Sequence, residues 1–318
     1  VLIRTGLFWR KNFSFGALNQ EIMNKIRCVI CLIVSLTLLS LIPISAQGDF
    51  GYGFRAGLSF SQLKGELEMD NAGNSLDEYS AATGFHIGIS LAYKFTDLMG
   101  VRGEFIFSQR GTKYAYNGES YYILGLHENE SIILRGTRDM TQTITNAYID
   151  IPISVYYKLG ALELSGGFGA GLSVGSTGGG RILFNGNSPT SGRALDEFRV
   201  DLNYNFRSNG AKQVDNSFSD IMVDGRTFNI PNRVGAYYWF DEKGKDQFKS
   251  LDYYLMGGLS YYLNQGLYIG GRIFYGLTDV DRNEYDVSLR SLDSNGDYIF
   301  REDDNKNITF QVSIGFSF

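Results

Sequence analysis

From residue 50 onward the chain alternates apolar residues with small or polar ones, and this period-two pattern recurs eight times. The first run sets Tyr52, Phe54, Ala56, Leu58 and Phe60 against Arg55, Gly57, Ser59 and Ser61. The last sets Phe310, Val312, Ile314, Phe316 and Phe318 against Gln311, Ser313, Gly315 and Ser317. Between them lie similar runs at 85–95, 101–111, 149–157, 162–172, 253–261 and 267–275. Successive side chains of a strand point to opposite faces, so each run predicts a strand with one apolar face. No helical period follows residue 47.

The connections alternate as well. Short links at 96–97, 159–161 and 264–266 are interleaved with long polar stretches at 62–82, 112–146, 175–250 and 282–306. Short turns at one end and long loops at the other characterise a transmembrane β-barrel, with the short turns in the periplasm. The pattern therefore predicts an all-β fold, an eight-stranded antiparallel up-and-down transmembrane barrel with long extracellular loops and both termini periplasmic. If 196–206 and 235–240 form an added hairpin, a ten-stranded barrel is the alternative.

The polar face separates a membrane barrel from a soluble one, which would hide its apolar face inside. Here that face is mostly Gly and Ser, not the Lys and Glu of a solvated surface, and small residues suit the narrow lumen of eight strands. Aromatic spacing agrees. Tyr52 and Phe60, Phe85 and Tyr93, Tyr253 and Tyr261, and Phe310 and Phe318 each lie eight residues apart. On a tilted strand that is roughly 20 Å along the membrane normal, close to the separation of two interfacial girdles. These eight side chains are the expected lipid-interface aromatics.

Composition changes the picture only at the N-terminus. The chain has 318 residues with 39 Gly, 23 Phe and 21 Tyr against 4 Pro, a turn-rich and β-rich balance. Residues 23–47 break it: Lys25 and Arg27 precede an apolar stretch that ends in Pro43 and the small pair Ser45-Ala46. That order reads as a secretory signal peptide, with a membrane anchor as the other reading. Residues 1–22 read as an over-extended N-terminus, and 48–318 as the barrel. Both cysteines, Cys28 and Cys31, fall inside the signal segment, so no disulfide or thiolate site is expected beyond it. Of 29 basic and 34 acidic residues, 5 and 1 fall in residues 1–46, so the remainder carries a net charge of −9. That acidity argues against nucleic acid as a partner.

Several segments together, "GFRAGLSFSQL" (53–63), "EFIFSQRGTK" (104–113), "YIDIPISVYYK" (148–158), "LELSGGFGAGLSVG" (162–175) and "GLYIGGRIFYGLTDV" (266–280), resemble the PorT-like outer-membrane β-barrel family of Bacteroidota. "SQRG" followed by "IDIP" in the next strand is the most specific part. The resemblance covers residues 50–318 in outline and implies an eight-stranded outer-membrane barrel without catalytic residues, some relatives of which assist protein secretion. The 175–250 segment departs from it by its length.

Candidate chemistry lies on the inward face and in the last loop. Arg55, Arg102, Glu104, Arg110, Asp150, Lys158, Glu163 and Arg272 form a lumen charge set, with Lys94 beside it. Arg102, Lys158 and Glu163 are expected near the periplasmic end, and Arg110 with Asp150 nearer the outside. Such a set makes either a gated pore or a salt-bridged plug. Asp293, Asn295 and Asp297 in "DSNGD" resemble the start of a calcium loop, but Gly296 stands at the fourth position where an EF-hand wants its glycine at the sixth. His86, expected near the rim, and His127, in a loop, lack any supporting nucleophile motif, so the chain is expected not to be an enzyme. "GSTGGG" (175–180) lacks the Lys of a phosphate loop. No cofactor is expected. The expected partners are outer-membrane lipid, the barrel-assembly machinery and a protein bound at the extracellular loops. The expected role is structural or binding, as an accessory of a secretion complex, with a small passive diffusion pore as the alternative.

Overall fold

The computed structural model describes residues 49–128 and 130–318. The signal segment, the N-terminal extension and both cysteines lie outside the described residues. The first five strands are β1 (Phe50–Lys64), β2 (Asp77–Lys94), β3 (Met99–Leu124), β4 (Ile132–Leu159) and β5 (Leu162–Asn187). A long excursion follows, holding β6 (Phe198–Asn205), β7 (Phe218–Val223), β8 (Arg226–Pro231) and β9 (Arg233–Val234). Then come β10 (Leu251–Tyr262), β11 (Leu267–Gly276), the loop hairpin of β12 (Val287–Leu292) and β13 (Tyr298–Phe300), and β14 (Lys306–Ser317).

Eight of these strands close a ring. Strands β1 to β5 pair antiparallel in sequence, β5 pairs with β10, β10 with β11, β11 with β14, and β14 returns to β1. The ten-stranded alternative is corrected by how the edge of β5 is shared. Residues 162–172 of β5 hold β10, while residues 177–184 hold β6 above it. Strand β6 therefore heightens the wall without widening it. Residues 235–240 are not a strand, and the second neighbour of β6 is β9, in parallel.

The stretch 112–146, read as a loop from its polarity, is also corrected. Strands β3 and β4 pair through it without interruption from Ile106↔Asp150 to Leu124↔Ile132. The alternation continues there, but the chemistry of the two faces is exchanged. Along β4 every even residue from Arg138 to Tyr156 is buried, so the strand keeps its phase. In its lower half the outward residues are Ile151, Ile153, Val155 and Tyr157 and the inward ones include Asp150 and Ser154. In its upper half the outward residues are Thr137, Asp139, Thr141 and Thr143, and the inward ones Leu134, Met140 and Ile144. Strand β5 changes phase on the way: its inward residues are odd-numbered through Ser173 and even-numbered from Ser176, across a bulge opposite Ala147 and Tyr148.

The barrel thus has two storeys. The lower one is apolar outside: Ile87, Ile89, Leu91, Ile151, Ile153, Leu255, Ile273 and Ile314 are 45–65% exposed around the ring. A continuous aliphatic belt of this kind is stable only against lipid. The upper storey, the headpiece, is polar outside and has a dry core of Tyr116, Tyr122, Leu134, Ile182, Phe184, Val200 and Phe206. The excursion 206–248 and the 279–305 loop pack onto this core through Val234, Tyr237, Phe248, Val280 and Tyr285. In the lower storey, inward glycines make room for tyrosines on neighbouring strands. Tyr254 lies opposite Gly169 and Tyr268 opposite Gly315. A Cβ on Gly169 would sit 2.6 Å from the Tyr254 ring, and Gly315 is approached more closely still.

Candidate functional site

Inward positions of the lower storey gather four arginines and four carboxylates, none more than 5% exposed. At the level nearest the short turns, Arg102 donates two hydrogen bonds to Glu163, 2.7 and 2.9 Å, and Tyr262 donates a third, 3.0 Å. One tier up, Arg272 grips Glu104 through two bonds of 2.5 and 2.7 Å. Arg55 stands 3.8 Å from the same carboxylate and donates to the Tyr268 hydroxyl, 2.8 Å. Highest, Arg110 bridges Asp150 and Asp252, the latter at 2.8 Å, while Ser108 donates to Asp150 and Asn307 to Asp252. The Arg110 guanidinium also lies 4.7 and 4.9 Å from the Tyr148 and Tyr254 ring centres. Buried charge is tolerated only when paired and hydrogen-bonded, and here the formal charges of the eight groups cancel.

The geometry places the sequence candidates as follows. Arg55, Arg102, Glu104, Arg110, Asp150, Glu163 and Arg272 enter the lumen clusters. Lys158 and Lys94 do not; Lys158 is half-buried with its ammonium 4.5 Å from the centre of the Tyr262 ring. Asp252 completes the upper cluster and was missed, although its parity with Tyr254, Gly258 and Ser260 was the available signal. The rim position expected for His86 is corrected, because the wall continues above it. His86 is 1% exposed, with Ser59 3.2 Å from Nδ1 and Ser313 2.8 Å from Nε2. His127 sits in the turn after β3, its Nε2 2.6 Å from the Tyr238 carbonyl. Among the aromatics, Tyr52 stacks on Phe318 at 5.0 Å, Phe60 faces Phe310 across β1 and β14, and Tyr93 packs on Phe50. Phe85, Tyr253 and Tyr261 are 45–55% exposed on the same outward face.

The calcium-loop expectation fails on local geometry. The Asp293 carboxylate accepts the backbone N–H groups of Asn295 and Asp297, both at 2.8 Å, which closes a turn with Gly296 at φ 89°. Those bonds, Asp297's first, hold the Asp293 carboxyl below its usual value. No three acidic, His or Cys side chains among the described residues are arranged to hold a metal ion.

Polar groups collect again inside the headpiece, around a cavity of about 140 Å³. Its walls include Tyr79, Tyr114, Trp239, Phe240 and Tyr285 together with Asp281, Asp286, Arg138 and Arg301. Burial, then the neighbouring Asp279, pushes the Asp281 carboxyl up to about 8. Burial, then Asp303, pushes Asp286 up to about 9. Arg301 is already engaged by Asp303 at 3.0 Å, Asp77 at 3.4 Å and the Glu66 carbonyl at 2.6 Å.

The family model for the outer membrane protein beta-barrel domain matches residues 45–282. The chain belongs to that family. The outer membrane protein beta-barrel domain thus begins just before β1 and reaches into the last loop, and the lipid-facing belt is its membrane-spanning surface. No curated protein sequence matches the chain. Among solved structures it is similar to Ail, the attachment invasion locus protein of Yersinia pestis, in complex with the heparin analogue sucrose octasulfate, at 14% identity and TM-score 0.33, covering 85% of this chain and 99% of that one. It is also similar to Neisserial surface protein A, at 9% identity and TM-score 0.27, covering 86% and 100%. A third is the outer membrane protease OmpT of Escherichia coli, at 9% identity and TM-score 0.28, covering 86% and 97%. The last corrects the expectation that the chain is not an enzyme: a protease stands among the similar barrels, so the barrel fold does not exclude catalysis. TM-scores this low carry no argument about what this outer membrane beta-barrel domain does.

Proposed function

We propose that this outer-membrane barrel is a binding protein, in which the lower storey is a sealed anchor and the headpiece carries recognition. One observation carries the reading. The lumen clusters pair four arginines with four carboxylates at near-complete burial, and the headpiece packs a hydrophobic core above them. A conducting pore needs a continuous hydrated path, and side chains paired across the lumen at three levels oppose one in the lower storey. The short turns at 95–98, 160–161 and 263–266 lie at the end of the barrel opposite the headpiece, as does the C-terminus. Short turns belong to the periplasmic side, so in this reading the headpiece faces the exterior, and the start of β1 and the end of β14 face the periplasm. Within this reading, the "SQRG" and "IDIP" segments support the narrower PorT-like assignment in Bacteroidota. The partners are then lipid and the barrel-assembly machinery along the belt, and a protein of a secretion complex at the headpiece.

The test is single-channel conductance of the refolded protein in a planar bilayer, with folding verified by heat-modifiable gel mobility. A silent bilayer is expected. Discrete, reproducible steps would refute the sealed anchor and favour the diffusion pore.

A further inference from the structure

We propose that a cleft on the headpiece binds an extended, basic segment of a partner protein, taken up as an added strand on the free edge of β6. The inference rests on the reading of the headpiece as the recognition part, and it names the chemistry of the partner.

The edge comes first. Strand β6 is covered on one side by β5 and on the other only by the two residues of β9, with Asp201 facing Arg233 and Leu202 facing Val234. The Asp201 N–H donates to the Asn232 carbonyl at 2.9 Å, so the backbone groups of Asp201 point away from β5. Residues two apart in a strand direct their backbone groups to the same side, and Arg199 therefore turns its N–H and C=O outward as well. Neither group finds a partner among the described residues. The β7–β8 hairpin stands off from this part of β6 and leaves a cleft of about 880 Å³, within the size range of ligand pockets. An open edge is a template for another chain, and main-chain bonds to it supply affinity whatever the side chains.

Charge names the occupant. Asp196, Glu197, Asp220 and Asp224 line the cleft and are exposed. Of the two arginines in the lining, Arg199 is bound to Asp201 at 2.7 Å, which leaves Arg193 against those four carboxylates. Hydrogen bonds from Ser188, then Ser191, hold the Asp224 carboxyl below its usual value, so it stays ionised. The nearby Arg226 and Arg233 are engaged by Glu130 and Asp215. An anionic lipid or nucleic acid would be repelled, and a second copy of this chain, with a net charge of −5, lacks the complementary charge. No three of the acidic groups are arranged to hold a metal ion. Ile221 and Met222, the latter 69% exposed, add apolar surface to the hairpin wall, so a segment alternating basic with apolar residues fits the cleft.

The experiment is fluorescence anisotropy of a dye-labelled hexapeptide of alternating lysine and valine, titrated with the refolded protein in an uncharged detergent. Two peptides are compared with it, one with glutamate in place of lysine and one with every backbone amide N-methylated. The lysine peptide should bind saturably below about 1 mM, the N-methylated one about fivefold or more weakly, and the glutamate one not at all. Two variants at one position separate strand addition from charge alone. Arg199→Gln and Arg199→Pro both release Asp201 and make the cleft more acidic, but only proline removes the outward N–H, which an edge position allows. Arg199→Gln should tighten binding about two- to fivefold, and Arg199→Pro should bind about fivefold or more weakly than Arg199→Gln, both with unchanged heat-modifiable mobility. Asp220→Asn should weaken binding about twofold. Three outcomes overturn the proposal: no saturable binding, equal binding of the lysine and glutamate peptides, and equal binding of the N-methylated peptide. Failure here with a silent bilayer leaves the headpiece reading standing, whereas conductance steps remove that reading whatever the peptide does.

Discussion

Removing one carboxylate from the lumen measures how far the lower storey depends on its charge pairing. In Glu104→Gln, Arg272 loses both of its short ionic bonds and Arg55 loses the charge 3.8 Å from its Nε. Both arginines are 2% exposed, so no solvent replaces the lost partner. Breaking a buried pair costs about 3–5 kcal/mol, and two guanidinium groups sharing one carboxylate put this case near about 5. Folded proteins have only about 5–15 kcal/mol in hand, so the variant should lose a third or more of its stability. In the double variant Glu104→Gln with Arg272→Met, only Arg55 is left, still bound to Tyr268. Its loss should fall to about 2 kcal/mol, below that of Glu104→Gln alone and well below the sum of the two single losses, which is the coupling a double-mutant cycle with Arg272→Met reads. The assay is urea unfolding of the refolded protein in lipid vesicles, read by heat-modifiable mobility. A loss under about 1 kcal/mol for Glu104→Gln, or losses that simply add in the double variant, would refute the plug as a coupled ionic unit.

The headpiece should be most stable in acid. The folded Asp281 and Asp286 titrate near 8 and 9, well above an unfolded aspartate, so their contribution is full below about pH 4 and is lost as pH rises through 8 to 9. Trp239 emission during urea unfolding from pH 5 to 9.5 checks this, and a midpoint that rises with pH would contradict it. Leu134→Ala, at a site with no exposure, should cost the headpiece about 2–5 kcal/mol and shift Trp239 emission, while heat-modifiable mobility of the barrel persists. Gly315→Val should destabilise the barrel by about 1–3 kcal/mol, because the new side chain meets the Tyr268 ring that anchors Arg55; refolding yield and urea midpoint report it.

The lower storey was legible because lipid and lumen demand opposite chemistry at alternate positions. Phe310, Val312 and Ile314 against Gln311, Ser313 and Gly315 could satisfy little else. The upper storey was not. Thr137 to Thr145 and the glycines at 178–180 look like loop, and only their pairing with β3 and β6 shows that the interior has become the dry side. A period-two pattern keeps its parity through such an exchange, and mean polarity hides it. The charge clusters were readable as a set and by depth along the strands. Asp252 shares the parity of the inward residues, but it stands just before its run and was left out of the charge set. Little local marked Asp281 and Asp286 as cavity walls, because apart from Tyr285 the rings that line the cavity with them come from β2, β3 and the excursion, far away in sequence.

The three long strands also settle how the molecule would carry a pull. Strands β3, β4 and β5, of 26, 28 and 26 residues, each run from the short-turn end of the membrane belt into the headpiece without a break. Their ladder bonds lie across the strand axis. Tension applied at the tip therefore shears many of them at once and cannot peel them one by one. A partner gripping the headpiece would be tied to the bilayer by a mast, and under load the grip should yield before the mast does.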